Sequence, residues 1–333
     1  MSSGDERWEA LLARQDQFTC YSAAMATWLA VGDADWATPI NPGLWLALTE
    51  EPAGLLGFGY FPPGLRSQLG LTRAGAEDPE AALGGVCDEL ARSGRVIVAG
   101  DGYHLPWHVA HGREHLPHWF TVTGTPDRPA IADPFACRNE LGIQTPEHRV
   151  VDAAHLRGLL PALPATNPVH RLREELAFGE RCEIGLAHRH QWFTYGGGAA
   201  GDEEPAGHLG PAAIERLAAH FRAHGQDLAA AYTQADDIWS IARHRAFLVT
   251  EAQARGTEDW DGWVAEHGTP LARRWGHVAP LLMQAVLSLR AGRAASSSVP
   301  DALAELAARE AAAAHALPDH EARFRISVDR ARD

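Results

Sequence analysis

Lysine is absent from this chain, so all 29 of its basic residues are arginines. They are outnumbered by 43 acidic residues, which gives a formal net charge of −14. Because phosphate binding needs clustered positive charge, this balance argues against nucleic acid as a partner. Net negative charge keeps many proteins soluble, and it is also compatible with a cationic or amine-bearing substrate.

Long apolar runs are absent as well. No stretch approaches the roughly 20 apolar residues that a membrane-spanning helix needs, and the segment 1–7 does not open a signal peptide. We therefore expect no membrane partner and a cytoplasmic location. The 333 residues, 46% of them hydrophobic, are enough for two domains with cores of ordinary size.

Cysteine is scarce, and the four cysteines, at positions 20, 87, 137 and 182, lie far apart. No pair has the spacing of a disulfide framework or a zinc knuckle, so we expect reduced thiols. Cys20 differs from the others because an apolar, alanine-rich helix is predicted directly after it, over 21–31. Such a cysteine is most often a small core residue, but a helix N-terminus also lowers a thiol's pKa and favours the nucleophilic thiolate. We interpret the other three cysteines as bystanders.

Two strand-like runs, 118–124 and 130–134, supply a histidine and an aspartate further along the chain. The proline-containing segment between them suits a turn, and antiparallel pairing brings the start of one strand beside the end of the other. We therefore expect His118 and Asp133 to be neighbours. A cysteine on a helix, then a histidine, then an acid is the chain order of papain-like enzymes. The pattern predicts a triad of a nucleophile, Cys20, its base, His118, and an orienting acid, Asp133.

Other polar residues are candidates for supporting roles. The oxyanion of an acyl-transfer intermediate needs donors, and we expect the backbone amide at the helix start and the side chain of Gln15 or Gln17 to supply them. Asp101 and Tyr103 follow a predicted buried strand, where they would recognise an amine or position the next loop. The alternatives for this pair are a turn-forming aspartate and a partly buried tyrosine. Tyr60 is a further substrate-binding candidate.

Five histidines, at positions 104, 108, 111, 115 and 118, have spacings that could place imidazoles on one side of a helix and so bind a metal. Pro106, Gly112 and Pro117 interrupt this segment, which makes a regular helix unfavourable there. We therefore expect no metal site and no cofactor.

The pattern of helices and strands changes along the chain. Strands are predicted over 55–61 and 95–101, and helices over 43–51 and 79–93, the last with Asp78 and Gly94 as caps. Beyond about residue 145 helical patterns dominate, over 152–160, 168–178, 211–224, 226–255, 259–290 and 300–316. We predict an α+β catalytic domain over 1–147 and a mostly helical domain, which determines the substrate or acceptor, over 148–333.

Seven short motifs in the front part of the chain occur in a fairly specific order and spacing. They are Cys20–Met25, Gly57–Phe61, Asp78–Ala82, Gly94–Val98, Asp101–Trp107, His118–Gly124 and Ala132–Pro134. With these motifs, the region from about residue 18 to 135 resembles the N-terminal domain of the butirosin biosynthesis protein H family. The resemblance implies a papain-like cysteine-enzyme domain, in which an N-terminal helix packs on a small antiparallel sheet. The mostly helical C-terminal domain that follows is predicted by the helical patterns alone.

The resemblance also implies an activity. The protein that gives the family its name moves an acyl group from an acyl-carrier-protein thioester to an aminoglycoside amine. Accordingly, the expected partners are an acyl carrier protein or other thioester donor and a small-molecule amine acceptor. Cyclisation onto an amine of the same acyl chain, hydrolysis by a thioesterase or amidase, a cysteine peptidase and a catalytically silent binding protein remain alternatives. The oligomeric state, a homodimer included, is left open.

Overall fold

The computed structural model describes residues 3–32, 34–51, 54–139, 141–163, 172–173, 176–177, 190–196 and 207–318. The α-helices in these ranges are α1 (Ser3–Leu12), α2 (Cys20–Val31), α3 (Ala37–Ile40), α4 (Leu65–Gln68), α5 (Pro79–Ser93), α6 (Ala153–Leu159), α7 (Pro211–His224), α8 (Leu228–Ala254), α9 (Glu258–Trp263), α10 (Thr269–Arg290) and α11 (Ser298–His315). The strands are β1 (Ala47–Glu50), β2 (Leu56–Gly59), β3 (Leu71–Ala76), β4 (Arg95–Asp101), β5 (Pro117–Thr125), β6 (Arg128–Asp133), β7 (Cys137–Asn139), β8 (Gly142–Gln144), β9 (Glu147–Val150), β10 (His190–Tyr195) and β11 (His208–Leu209). The structure also contains two 3₁₀ turns, Gln15–Gln17 and Gly102–His104, and a π-helical turn, Val264–Gly268.

The chain mixes helices with antiparallel sheets, which confirms the α+β prediction. It forms two compact units, each made from two stretches of sequence. The first unit comprises Met1–Ile40 and Gly64–Glu203, and the second comprises Asn41–Pro63 and Glu204–Asp333. Within the described ranges, no helix combines the length and the apolar character needed to cross a bilayer.

The first unit is built on a six-stranded antiparallel sheet with the strand order β3-β10-β4-β5-β6-β9. Alternate residues of the central strands point to one face, as strand geometry requires, and join a buried cluster to which α5 and α6 also contribute. Members of this cluster are Val96, Val98, Phe120, Val122 and Ile131 from the strands and Val86, Leu90, Leu156 and Leu159 from the helices. The hairpin β7–β8 follows the end of β6 as a separate two-stranded sheet.

Helix α2 packs against β5. The Thr121 hydroxyl donates to the Ala24 carbonyl at 2.9 Å, and all ten residues from 21 to 30 are buried, which explains why this helix is apolar on every side. At the other end of α2, the Arg95 guanidinium donates to the Trp28 carbonyl at 2.5 Å. A Cβ on Gly32 would lie 1.2 Å from Arg95 Nη1, so the helix end needs a glycine for this contact.

The second unit consists of helices α7 to α11 and a three-stranded sheet with the order β11-β1-β2. Buried Arg245 of α8 connects its two stretches of sequence. Its guanidinium donates to Glu310 at 2.6 and 3.0 Å and to the carbonyls of Gly43 and Leu44 at 3.0 and 3.2 Å. Removing one partner of a buried ion pair of this kind typically costs about 3–5 kcal/mol, so this contact fixes the 41–63 segment against the helices of its unit.

The helix predicted over 43–51 is wrong. Gly43 has a φ of 60° and its amide donates to Asn41 Oδ1 at 3.0 Å, so a turn occupies the start of this segment. Residues 47–50 then form β1, in which Ala47 lies opposite Gly59 and Leu209. The two partner strands satisfy the backbone hydrogen bonds that a helix would have made internally.

The compact units do not divide the chain at residue 147. Strand β10 belongs to the first unit because it pairs with β3 and β4 and lies between them in the sheet. The 41–63 segment belongs to the second unit, although it precedes most of the first in sequence. The helix predicted over 168–178 lies mostly outside the described residues.

Candidate functional site

Cys20 is the first residue of α2, and a capping box fixes where that helix begins. The Ser22 amide donates to Thr19 Oγ1 at 3.2 Å, and the Thr19 amide donates to Ser22 Oγ at 2.8 Å. The backbone bonds of the helix begin with Ala23 N–H donating to the Thr19 carbonyl at 2.9 Å, so the Cys20 amide precedes them. Cys20 itself is half-buried. A partly accessible thiol therefore lies at the positive end of a buried helix.

His118 and Asp133 come together across the β5–β6 hairpin, as the sequence predicts. The hairpin pairs Thr121 with Ala132, which places His118 diagonally across from Asp133. His118 Nε2 lies 2.7 Å from Asp133 Oδ2, and both side chains are almost completely buried. The carboxylate therefore fixes the orientation of the imidazole ring.

The Cys20 side chain also acts on the His118 ring, because it helps to raise the pKa of the imidazole. Since Asp133 binds Nε2, Nδ1 is the ring nitrogen left for the sulfur. Burial lowers the pKa of His118, but the Asp133 carboxylate and then the Cys20 side chain outweigh it and raise this pKa to about 10. His118 is therefore an imidazolium at neutral pH, and its positive charge lies between the carboxylate and the sulfur.

Asp133 is held by further donors that the sequence did not reveal. The Trp107 indole N–H donates to Oδ2 at 2.8 Å, the Phe135 amide donates to Oδ1 at 3.1 Å, and the Gln144 side chain donates to Oδ2 at 3.4 Å. Trp107 belongs to the motif Asp101–Trp107, but the motif does not predict that its indole contacts Asp133. Gln144, on the β7–β8 hairpin, carries no sequence signal that would have found it.

His108 is a second buried histidine beside the pair, with its ring centroid 4.6 Å from that of His118. Burial, and then the charge of His118, lower the pKa of His108 to about 2, so it is neutral. Its Nδ1 accepts a hydrogen bond from the Ala110 amide at 3.1 Å, which places its proton on Nε2. A Cβ on Gly102 would lie 2.4 Å from this Nδ1, so the ring packs where a glycine leaves room.

The other predicted site residues lie in three places. Gln15 and Gln17 are on the 3₁₀ turn that precedes Cys20, and both are partly exposed. Tyr60 is in the second unit, where its hydroxyl donates to Asp237. Asp101 is buried at the end of β4, and its Oδ1 accepts from the Tyr103 amide at 3.1 Å. Its Oδ2 lies 2.6 Å from a nitrogen of His115.

The remaining cysteines differ from Cys20 in their surroundings. Burial and the nearby charge of Asp88 raise the pKa of the Cys87 thiol, which disfavours the reactive thiolate. Cys137 begins β7 and is half-buried, and Cys182 lies outside the described residues.

Comparison with known proteins adds no assignment. A scan against protein-family models and a search of curated proteins both found no match for this chain.

Proposed function

We propose that this chain is a cysteine-dependent acyltransferase that acts through a Cys20 acyl-enzyme. The observation that carries the proposal is the position of His118, which is hydrogen-bonded to buried Asp133 and whose pKa the Cys20 side chain helps to raise. A nucleophile, its base and an orienting acid in contact are the arrangement that acyl-transfer chemistry requires. The same interaction argues against a catalytically silent protein, in which the sulfur and the imidazole would be separated.

The charges suit the first half of the reaction. The positive charge on His118 favours the Cys20 thiolate, which attacks the carbonyl carbon of a thioester and forms a new carbon–sulfur bond. Collapse of the tetrahedral intermediate expels the donor thiolate, and the His118 imidazolium supplies the proton that neutralises it. The Cys20 amide at the start of α2, joined by Gln15 or Gln17, would stabilise the oxyanion.

In the second half, His118 acts as the base. It is neutral after giving up its proton, so it accepts the proton that an incoming amine loses as the amine attacks the acyl-enzyme. The Cys20 thiolate then leaves, and the thiolate and the imidazolium are restored together. Asp133 stabilises the imidazolium at both ends of the cycle, and Trp107 and Gln144 hold Asp133 in place.

The donor and acceptor classes rest on the resemblance to the butirosin biosynthesis protein H family. It supports an acyl-carrier-protein thioester as donor, an amine of a small natural product as acceptor, and a papain-like fold for the first unit. The packing of α2 on an antiparallel sheet is consistent with that fold. The net charge of −14 is compatible with a cationic acceptor. The same three side chains would also serve a hydrolase or a cyclase, which differ in what reaches the acyl-enzyme.

Intact-mass spectrometry after incubation with a panel of acyl thioesters tests the proposal. The wild-type chain should gain the mass of one acyl group, and Cys20→Ala should gain none. Cys87→Ser is the matched control, since it removes another half-buried thiol and should acylate like wild type. An adduct that persists on Cys20→Ala, or disappears with Cys87→Ser, would overturn the assignment.

Adding acceptors to the purified acyl-enzyme then identifies the reaction. An aminoglycoside amine should remove the adduct and yield an amide. The adduct should be lost much faster with the amine than in buffer alone. Loss of the adduct to water at the same rate with and without amine would instead identify a thioesterase. Release of a cyclic product from an amine-bearing acyl chain would identify a cyclase.

A further inference from the structure

Three metal-binding side chains converge where β4 ends and β5 begins, although no helix brings them together. His115 Nδ1 lies 2.6 Å from Asp101 Oδ2, and His104 Nε2 lies 3.9 Å from the same oxygen. The three ligand atoms are all within 4.8 Å of one another. Because the segment folds back as a loop, Pro106 and Gly112 do not prevent the imidazoles from meeting.

The loop geometry explains this convergence. Asp101 Oδ1 accepts from the Tyr103 amide at the start of the 3₁₀ turn, which leaves Oδ2 on the side of the two histidines. The Gly102 amide donates to the Leu116 carbonyl at 2.7 Å, which brings the end of the loop back to its beginning. The Tyr103 ring stacks on the His115 ring with centroids 4.4 Å apart and an angle of 16° between their planes. The carboxylate and one imidazole are therefore held in position by their neighbours.

We propose that Asp101, His104 and His115 bind a Zn²⁺ ion. Two imidazoles and a carboxylate are typical zinc ligands, whereas Mg²⁺ and Ca²⁺ prefer oxygen. The side chains of His104 and His115 are 45% and 53% exposed, so an ion can enter from solvent and keep water as a fourth ligand. Zinc–ligand bonds of about 2.0–2.1 Å in a tetrahedron separate neighbouring ligand atoms by roughly 3.3 Å. Binding therefore requires the Asp101–His115 pair to open slightly and His104 to move closer.

The ion would stabilise the loop that supports the catalytic pair. This loop carries Trp107, which donates to Asp133, and His108, whose ring packs beside His118. The ligands come from both ends of the loop, so a shared ion would oppose its opening. Of the two roles expected from sequence, amine recognition and positioning of the loop, this one gives Asp101 the second, as a metal ligand, and it does not depend on the proposed acyl transfer.

Titration calorimetry of the metal-stripped full-length chain with Zn²⁺ tests the site. The Cys20→Ala background removes the thiolate, which would otherwise compete for zinc. We expect one ion per chain, and an affinity at least about tenfold weaker in His104→Ala and in His115→Ala. His111→Ala is the matched control, because His111 is an exposed histidine of the same loop outside the cluster. It should bind zinc as the background chain does.

Thermal unfolding gives a second measurement on the same proteins. Zn²⁺ should raise the Tm of the background chain and of His111→Ala, but not of His104→Ala. His104 is half-exposed, so its substitution should leave the fold intact, as circular dichroism will check. No zinc binding by the background chain, or equal binding by all variants, would overturn the proposal. The Asp101–His115 contact would then be a hydrogen bond that orders the loop.

Discussion

At the residue scale, the proposed reaction depends most on the protonation of His118. A buried histidine normally loses its charge, because burial penalises the imidazolium. Here the opposing effects of Asp133 and Cys20 prevail, and the pKa rises to about 10. Asp133 is the stronger of these two contributors, so it can be tested without touching the sulfur.

We predict that Asp133→Asn lowers the pKa of His118 far below 10, because burial is then opposed mainly by Cys20. The His118 ring resonances followed by NMR against pH should report an imidazolium through pH 8 in wild type and a neutral ring at pH 7 in Asp133→Asn. A wild-type His118 that titrates near its ordinary pKa of about 6.5 would contradict the structure.

The same shift has a consequence for stability. A pKa raised in the folded state adds stability that is fully present below the unfolded value of about 6.5 and is lost as pH rises toward the folded value. The free energy of unfolding of wild type should therefore exceed that of Asp133→Asn by the largest amount near pH 6.5, and by less as the pH approaches 10. Denaturant titrations between pH 6 and 10 should show the difference shrinking as pH increases.

At the element scale, α5 carries two adjacent glycines with opposite surroundings. A Cβ on Gly84 would meet nothing within 4 Å, whereas a Cβ on Gly85 would lie 2.3 Å from the Trp192 ring of β10. Helix α5 therefore approaches β10 closely at Gly85 and faces open space at Gly84. Substitution of Gly84 therefore measures how much glycine's conformational freedom destabilises the helix. Substitution of Gly85 measures in addition the effect of crowding against Trp192.

We predict that Gly84→Ala raises the free energy of unfolding by about 0.5–1 kcal/mol, because alanine loses less conformational freedom than glycine in a helix. Gly85→Ala should lower it by about 1–3 kcal/mol, because the added methyl overpacks the interface with Trp192. Urea denaturation of the two variants beside wild type measures both effects. Equal changes in the free energy of unfolding of the two variants would show that α5 does not pack on β10 as described.

At the scale of the whole molecule, both compact units depend on chain segments that are distant in sequence. The first unit needs β10 from beyond residue 147, and the second needs the 41–63 segment from near the front. A division of the gene at the boundary that the sequence indicates would therefore separate partners that fold together.

We predict that a chain ending at residue 147 does not fold cooperatively. Its sheet would lack β10, which leaves β3 without its partner in the sheet and removes Trp192 from the buried cluster. Amide NMR dispersion and a thermal melt, with the full-length chain as control, measure the outcome. A sharp, cooperative transition in the truncated chain would count against the arrangement of the sheet.

Several features follow from sequence because neighbours along the chain determine them. Asp78 and Gly94 bound α5 as predicted, with Asp78 Oδ1 accepting from the Ala81 amide at 2.8 Å. The short turn between β5 and β6 set the register that brings His118 to Asp133. Each depends on helix caps, turn residues or the alternation of apolar and polar residues within a few positions. These signals can be read from the sequence alone.

Other features depended on the tertiary structure, because their partners are remote in sequence. Residues 47–50 became a strand through pairing with β2 and β11, and β10 joined the first sheet from more than a hundred residues away from β3. The donors from Trp107 and Gln144 to Asp133, and the meeting of Asp101 with His115, likewise arise where loops fold back on the sheet. The sequence thus determined the candidate nucleophile, base and acid, and the packing of distant segments decided how they are charged, supported and enclosed.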